Sequence, residues 1–298
     1  MTPTDMQGKI CLVTGSTSGL GKATAFALAH QHATVILGCR DKQRGEAVLA
    51  EIKAANPTAT VDLLLLDLSV QHSVRTAVRE FESRYDHLDV LINNAAVFTR
   101  HRTLTADGYE TMFATNHLGP FLLTNLLLSR LKAATAARIL TITPPSTTKI
   151  AFEDLQAEQK FSALQAFGAS KSCNLHFTSE LAHRLASTIV TVNAIYPGLV
   201  KTPLMREAPA PLRWLTSLFA QSPEPVAQRV VYYASSQDVQ GMTGLLFHKG
   251  RQPMDSGPST KDRAIGQHLW EASMALAPLK VESWEEQPDW QKVTKNWE

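Results

Sequence analysis

Thr14-Gly15-Ser16-Thr17-Ser18-Gly19-Leu20-Gly21 follows a short apolar run and leads into a segment with helical spacing. Its three glycines suit three different tasks. Gly15 permits a tight turn at a strand end, Gly19 lets backbone amides come close to a pyrophosphate, and Gly21 lets the helix pack on the strand. Ser16, Thr17, Ser18 and Leu20 complete the cradle, and the helix N-terminus adds partial positive charge toward the phosphates. A glycine trio by itself also serves as a plain turn. Its position between the first strand and the first helix favours the phosphate-binding reading.

Apolar, β-rich runs at 9–14, 34–39, 61–66, 90–93, 138–143, 190–195 and 244–247 alternate with longer stretches of 3.6-residue periodicity. One such stretch carries Val74, Ala77, Val78, Phe81 and Tyr85, with Ser69 as its expected cap. Another opens Ser222-Pro223-Glu224, in the order cap, proline, acid. Strands alternating with helices imply βαβ crossovers, and near-continuous apolar strands imply a sheet buried on both faces. The expected class is therefore α/β: a Rossmann-type, doubly wound parallel sheet of about seven strands flanked by helices. No repeat or linker interrupts the chain. Residues 1–298 read as one dinucleotide-binding domain with a polar extension at 280–298 that carries Trp284, Trp290 and Trp297. The proline-rich, apolar stretch 203–225 follows the sixth strand, at the sheet end where ligands bind, and suits a lid or an extra core helix equally.

Of the 298 residues, 44% are hydrophobic and 19% charged, enough for a full core and unlike a disordered chain. A net charge of +2, with both signs interspersed, leaves no basic stripe for nucleic acid. Cys11, Cys39 and Cys173 are odd in number and far apart, as expected of reduced thiols in a reducing compartment. The first strand begins too early for a hydrophobic leader, and no apolar run is long enough to span a bilayer. The default expectation is a cytoplasmic protein. The histidines show no metal-ligand spacing, so no metal is expected.

The second strand ends Leu37-Gly38-Cys39-Arg40. NAD sites place a carboxylate here for the ribose hydroxyls. Cys39 takes that place, and the following Arg40 suits a 2′-phosphate, with Lys22 as an auxiliary cation; the preference is for NADP(H). A solvated surface arginine is the alternative.

The glycine loop is followed by Asp67-Leu68-Ser69, Asn93-Asn94-Ala95-Ala96, Asn116-His117-Leu118-Gly119 and Pro197-Gly198. With the phrases GCRDKQRGEA, LINNA, NHLGPFLLT, FTSELAHRL and NAIYPGLVKT, the chain resembles the short-chain dehydrogenase/reductase family, in its retinol-dehydrogenase-like branch. The resemblance implies that Asp67 holds the adenine amino group and that Leu68 lines its pocket. Asn93 and Ala95 would support the sheet centre and the adenosine ribose, and Thr202, after Pro197-Gly198, would bond the nicotinamide carboxamide. It further implies a homodimer through helices around 105–132 and 161–186. Ala96 stands where the family has glycine.

The family's chemistry uses Asn, Ser, Tyr and Lys, with Tyr and Lys four apart on one helix face. Here the motif reads Phe167-Gly168-Ala169-Ser170-Lys171. Lys171 is kept, Phe167 replaces the tyrosine, and ungapped reading of the fifth strand puts Pro144 at the serine position. Ser146 or Thr147 substitutes for that serine only if the loop takes another course. Candidate proton donors in their place are Tyr196, next to Pro197, His101, Tyr109, a water on Asn116 and Lys171 itself; for Tyr196 a structural role is the better reading. Asn116 is kept, and Pro120 removes the amide that its carbonyl would accept, which implies a kink and a carbonyl free for water.

These residues leave three functions open. The first is an NADP(H)-dependent oxidoreductase acting on a bulky apolar carbonyl or alcohol, with an atypical active site. The second is a cofactor-binding pseudoenzyme or sensor without turnover. The third is a repurposed isomerase, lyase or cyclase.

Overall fold

Valine, isoleucine and leucine runs form a buried central sheet in the computed structural model, which describes residues 5–205, 220–257, 260 and 262–279. The 206–219 part of the apolar stretch and the 280–298 extension lie outside the described residues. The strands are β1 Ile10–Thr14, β2 Thr34–Cys39, β3 Val61–Leu65, β4 Val90–Asn93, β5 Arg138–Ile142, β6 Thr191–Ile195, β7 Leu246–Phe247 and β8 Pro253–Met254. The helices are α1 Gly19–His30, α2 Lys42–Ala55, α3 Gln71–Arg84, α4 Thr111–Phe113, α5 Gly119–Leu126, α6 Leu128–Ala133, α7 Ala163–Arg184, α8 Pro223–Ser235 and α9 Arg263–Leu276.

The sheet order is β3-β2-β1-β4-β5-β6-β7-β8. Every pairing is parallel except the last, β7 with β8. The expectation of about seven strands is corrected by this eighth, antiparallel strand. It is two residues long and begins with Pro253, which an edge position tolerates because no ladder amide is required there. Strand order reverses between β1 and β4, where the register pairs Val13 with Ile92. The crevice beyond the carboxyl ends of these two strands is where such sheets bind ligands.

Each sheet face has its own core. On one side Leu20, Leu28, Val226, Val230 and Val231 bring α1 and α8 onto the sheet. On the other, Val74, Phe81, Phe121, Leu122, Phe177, Leu181 and Trp270 bring in α3, α5, α7 and α9. Ser69 does not cap α3. Its hydroxyl bonds to Asp67 Oδ1 at 2.6 Å, and the carboxylate of Asp107 accepts from Gln71 N at 2.6 Å instead.

The helix α9 covers α5 and α7. Trp270 packs edge-on against Phe121 at 5.0 Å and stacks on Phe177 at 6.0 Å, with the Arg184 guanidinium 4.2 Å from its ring. Ser273 bonds His117 across 2.9 Å, and the Leu276 carbonyl accepts from Gln71 and Tyr109. The chain's own last described helix therefore lies on the two helices through which a homodimer is expected. No helix among the described residues is long and apolar enough to cross a membrane.

Candidate active site

The glycine loop has the backbone that its sequence demands. Gly15 and Gly19 have φ of +66° and +52°, in the left-handed region that side chains disfavour. A Cβ on Gly21 would lie 2.3 Å from the Gly15 carbonyl oxygen and 2.4 Å from Asn94 Nδ2, so the helix reaches the strand only with glycine here. Ser18 stands at the N-cap of α1 without a side-chain cap bond, and the first turn holds no acid. The amides at this helix end are thus left for an outside acceptor, and nothing repels an anion. The cradle fits the pyrophosphate of a dinucleotide. Ser16 is buried and turns its hydroxyl back to the Gly38 carbonyl at 3.3 Å, so it braces the loop.

Asn94 and Thr14 hold this loop to β4, a role the sequence reading did not assign. Asn94 Nδ2 donates to the carbonyls of Thr14 (2.9 Å) and Gly15 (3.4 Å), and Thr14 Oγ1 accepts from the amides of Asn94 and Ala95. Asn93, one residue earlier, faces the opposite way and donates to Thr124 Oγ1 on α5. The alternation of a strand allocates the two asparagines to different faces, and that is the signal that separates them.

At the end of β2, Arg40 is exposed and Cys39 is buried, its thiol donating to the Asp41 carbonyl. The Asp41 carboxylate caps α2 by accepting from Arg44 N at 3.1 Å, which turns its charge toward that helix. Lys22 is committed elsewhere, in a 2.5 Å ion pair with Glu51. After β3, Asp67 Oδ1 accepts from the amide and hydroxyl of Ser69, which fixes the Asp67-Leu68-Ser69 turn. Leu68 is buried, and its carbonyl would lie 2.1 Å from a Cβ on Gly119. After β6, Gly198 turns at φ +75° and the Pro197 carbonyl accepts from Arg229. Thr202 comes so near the glycine loop that a Cβ on Gly19 would meet its Cγ2 at 2.7 Å, so this segment closes the crevice from the far side.

The expected kink at Asn116 is a π-helical turn, Ala114–Leu118, closed by a bond from Gly119 N to the Ala114 carbonyl. Pro120 follows at the start of α5. The Asn116 side chain is fixed on all sides. It accepts from Val97 N at 2.8 Å and donates to the Val97 carbonyl and to Ser170 Oγ at 3.0 and 3.1 Å. It therefore ties the segment after β4 to α7 directly beside the Phe167–Lys171 face.

Phe167 and Lys171 lie one turn apart on α7, with the ammonium 5.3 Å from the ring centroid. Phe167 also packs edge-on with Phe98 at 5.6 Å, in a cluster with Val97, Met112, Phe161 and Leu204. Lys171 is 3% exposed, and burial pushes its pKa down to about 8.

Ser146 and Tyr196 do not join this group. Ser146 Oγ donates to the Gly168 carbonyl at 2.8 Å and accepts from Ser172 Oγ and Thr148 N. Gly168 and Ser172 form the stripe next to Phe167 and Lys171 on α7, one residue around the helix, and the hydroxyl's single proton is already used. Tyr196 packs with Leu175, Ala194, Leu246 and Met254, its ring 4.8 Å from that of His248. That cluster is separate from the one around Phe167.

The match to the short chain dehydrogenase family spans residues 9–212. The chain is 40% identical to retinol dehydrogenase 14 of Mus musculus over 292 residues, covering 92% of this chain and 87% of the relative. It is 36% identical to retinol dehydrogenase 12 of Homo sapiens over 285 residues, with 94% and 90% covered. Among solved structures, an uncharacterized protein from Mycobacterium paratuberculosis superposes with a TM-score of 0.73 at 32% identity, covering 92% of this chain and 95% of that one. With the glycine cradle, the parallel sheet and the α7 lysine in place, these matches make the chain an oxidoreductase of the short chain dehydrogenase family.

Proposed function

We propose that the protein transfers hydride between NADP(H) and a bulky apolar carbonyl or alcohol, in an active site that works without the family's tyrosine and serine. The observation that carries this reading is the pairing of buried Lys171 with Phe167, at the edge of an apolar wall made by Phe98, Phe161 and Leu204. Relatives named retinol dehydrogenases act, by that name, on a long apolar alcohol, which suits such a wall.

Gly15, Ser16, Thr17, Ser18, Gly19, Leu20 and Gly21 would hold the pyrophosphate, and Asp67, Leu68, Asn93 and Ala95 the adenosine half. Lys171, Pro197, Gly198 and Thr202 would hold the nicotinamide half. When bound, the reduced nicotinamide supplies the hydride. Asn116 keeps α7 and the segment after β4 in register, and Phe167 excludes water from the reacting carbonyl. The three cysteines are free and buried, in keeping with a reducing compartment such as the cytoplasm.

Arg40 is proposed to set the preference for NADP(H), because the neighbouring carboxylate of Asp41 is spent on α2. A charge-assisted bond contributes about 1.5–3 kcal/mol. Arg40→Ala is expected to weaken NADPH binding by about 10- to 100-fold, at 1.4 kcal/mol per tenfold. NADH binding should change by less than about threefold, because it has no phosphate for the charge to meet. Fluorescence titration with both cofactors measures this, and equal losses would remove Arg40 from the phosphate site.

A second reading, a cofactor-bound protein without turnover, is favoured by the Ser146 proton being committed to Gly168 and by the missing hydroxyl at Phe167. The repurposed isomerase, lyase or cyclase has no observation in its favour beyond the same apolar wall.

A further inference from the structure

The active site needs a proton for the alkoxide that hydride addition creates, and the usual hydroxyls are absent or engaged. Lys171 is differently placed. Its side chain is buried on the same stripe of α7 as Phe167, and its ammonium lies 5.3 Å from that ring. Among the described residues the ammonium makes no hydrogen bond and no ion pair, so no group of the protein itself takes its protons.

We propose that Lys171 is the proton donor itself, handing an ammonium proton to the substrate carbonyl oxygen beside the Phe167 ring. This rests on the oxidoreductase reading given above. The carbonyl carbon receives a hydride, with its two electrons, from the reduced nicotinamide dinucleotide. The C=O π pair moves onto oxygen, a Lys171 N–H bond breaks, and that proton joins the oxygen. The products are the alcohol, the oxidised dinucleotide and a neutral lysine amine, which regains its proton from water. In alcohol oxidation the neutral amine accepts the proton.

The surroundings of Lys171 permit both forms. Burial is the sole cause of its shift down to about 8, and no carboxylate pins the charge. On α4's N-terminal side, the Glu110 carboxylate is taken up by the amides of Met112 and Phe113. From the π turn come the Asn116 amide and His117, which burial pushes down to about 3 and which bonds Ser273, so it is uncharged at neutral pH. Thr143, after β5, places its hydroxyl on the Lys171 carbonyl, and Tyr196 after β6 packs with His248. Of the charged residues of α9, Arg263 and Glu271 act on Arg184, further along α7, and Asp262 at its N-cap acts on His176. Phe167 offers the ammonium a ring face, which stabilises the cation without accepting its proton.

The sign of the pH dependence follows. The ammonium form donates below about pH 8, so carbonyl reduction should be flat there and fall about tenfold per pH unit above it. Alcohol oxidation, which needs the neutral amine, should rise about tenfold per pH unit below about pH 8 and level off above it. The experiment records both profiles with NADPH or NADP and an apolar aldehyde–alcohol pair, together with NMR titration of 13C-labelled lysine side chains. Lys171→Arg keeps a charge at every pH assayed but does not release its proton. It is expected to lose about 10²–10⁴-fold in turnover, to keep NADPH binding within about tenfold, and to lack the lysine signal that titrates near 8. Wild-type turnover without a limb between pH 7 and 9.5 overturns the proposal and leaves the oxidoreductase reading standing. So does Lys171→Arg turning over within about tenfold of wild type, or Lys171 titrating in the ordinary range of about 10.4. Failure of the wild type to turn over any substrate, with NADPH bound, overturns the oxidoreductase reading and this step with it.

Discussion

Gly21→Val is expected to abolish dinucleotide binding and to lower the stability of the fold. The first added carbon already overlaps the Gly15 carbonyl oxygen at 2.3 Å and Asn94 Nδ2 at 2.4 Å. The first of these contacts is backbone, at a residue held in the left-handed region with φ +66°, and Asn94 is itself bonded to Thr14 and Gly15. The Gly15 backbone cannot swing aside as a side-chain end can, so α1 must move away from β1. Overpacking of this kind costs about 1–3 kcal/mol and occasionally more. Its larger effect is on the amides at the α1 N-terminus, which must stay aimed at one point to bind phosphate. NADPH affinity is expected to fall by about 100-fold or more in a fluorescence titration, with a lowered melting temperature. Unchanged affinity would mean that the dinucleotide does not sit on this loop.

Trp270→Ala is expected to destabilise the protein by about 3–5 kcal/mol, the usual range for removing a buried tryptophan. Trp270 joins α9 to both α5 and α7 through Phe121 and Phe177, and Arg184 lies over its ring. Its loss also weakens the contact between Ser273 and the π turn that carries Asn116. Denaturant unfolding measures the stability. A second expectation is self-association, because truncation bares the apolar faces of α5 and α7. Size determination by light scattering should show a monomeric wild type and a larger variant. A wild-type dimer with α9 undisturbed would place the dimer contact elsewhere on the molecule.

The strands were legible to within two residues because parallel strands buried on both faces leave continuous apolar runs, as in Ile10–Thr14 and Thr34–Cys39. Strand β8 was not legible. Two residues starting with proline carry no periodicity, and their place depends on β7 lying beside them. Local signals failed where a distant residue competed. Ser69 has the right identity for a cap, but Asp107, far along the chain, reaches the same helix end. Lys22 sits in the right turn for a phosphate, but Glu51 on the next helix takes its charge.

The candidate site divides in the same way. The glycine loop, Arg40, Asn116, Phe167 and Lys171 were readable because their backbone or helical spacing defines their position. The commitment of Ser146 to Gly168 and Ser172 depends on how the loop after β5 meets α7, and no local pattern encodes that. The covering of α5 and α7 by α9 is likewise a contact between segments far apart in the chain.

The most direct test of the account is NADPH oxidation by the wild-type protein over a panel of apolar aldehydes and ketones, beside Phe167→Tyr and Phe167→Tyr with Pro144→Ser. The wild type is expected to oxidise NADPH with at least one of them, and turnover is expected not to require the restored residues. Turnover confined to the restored variants would contradict it, and would identify the natural protein as a dinucleotide-binding protein that has given up redox catalysis.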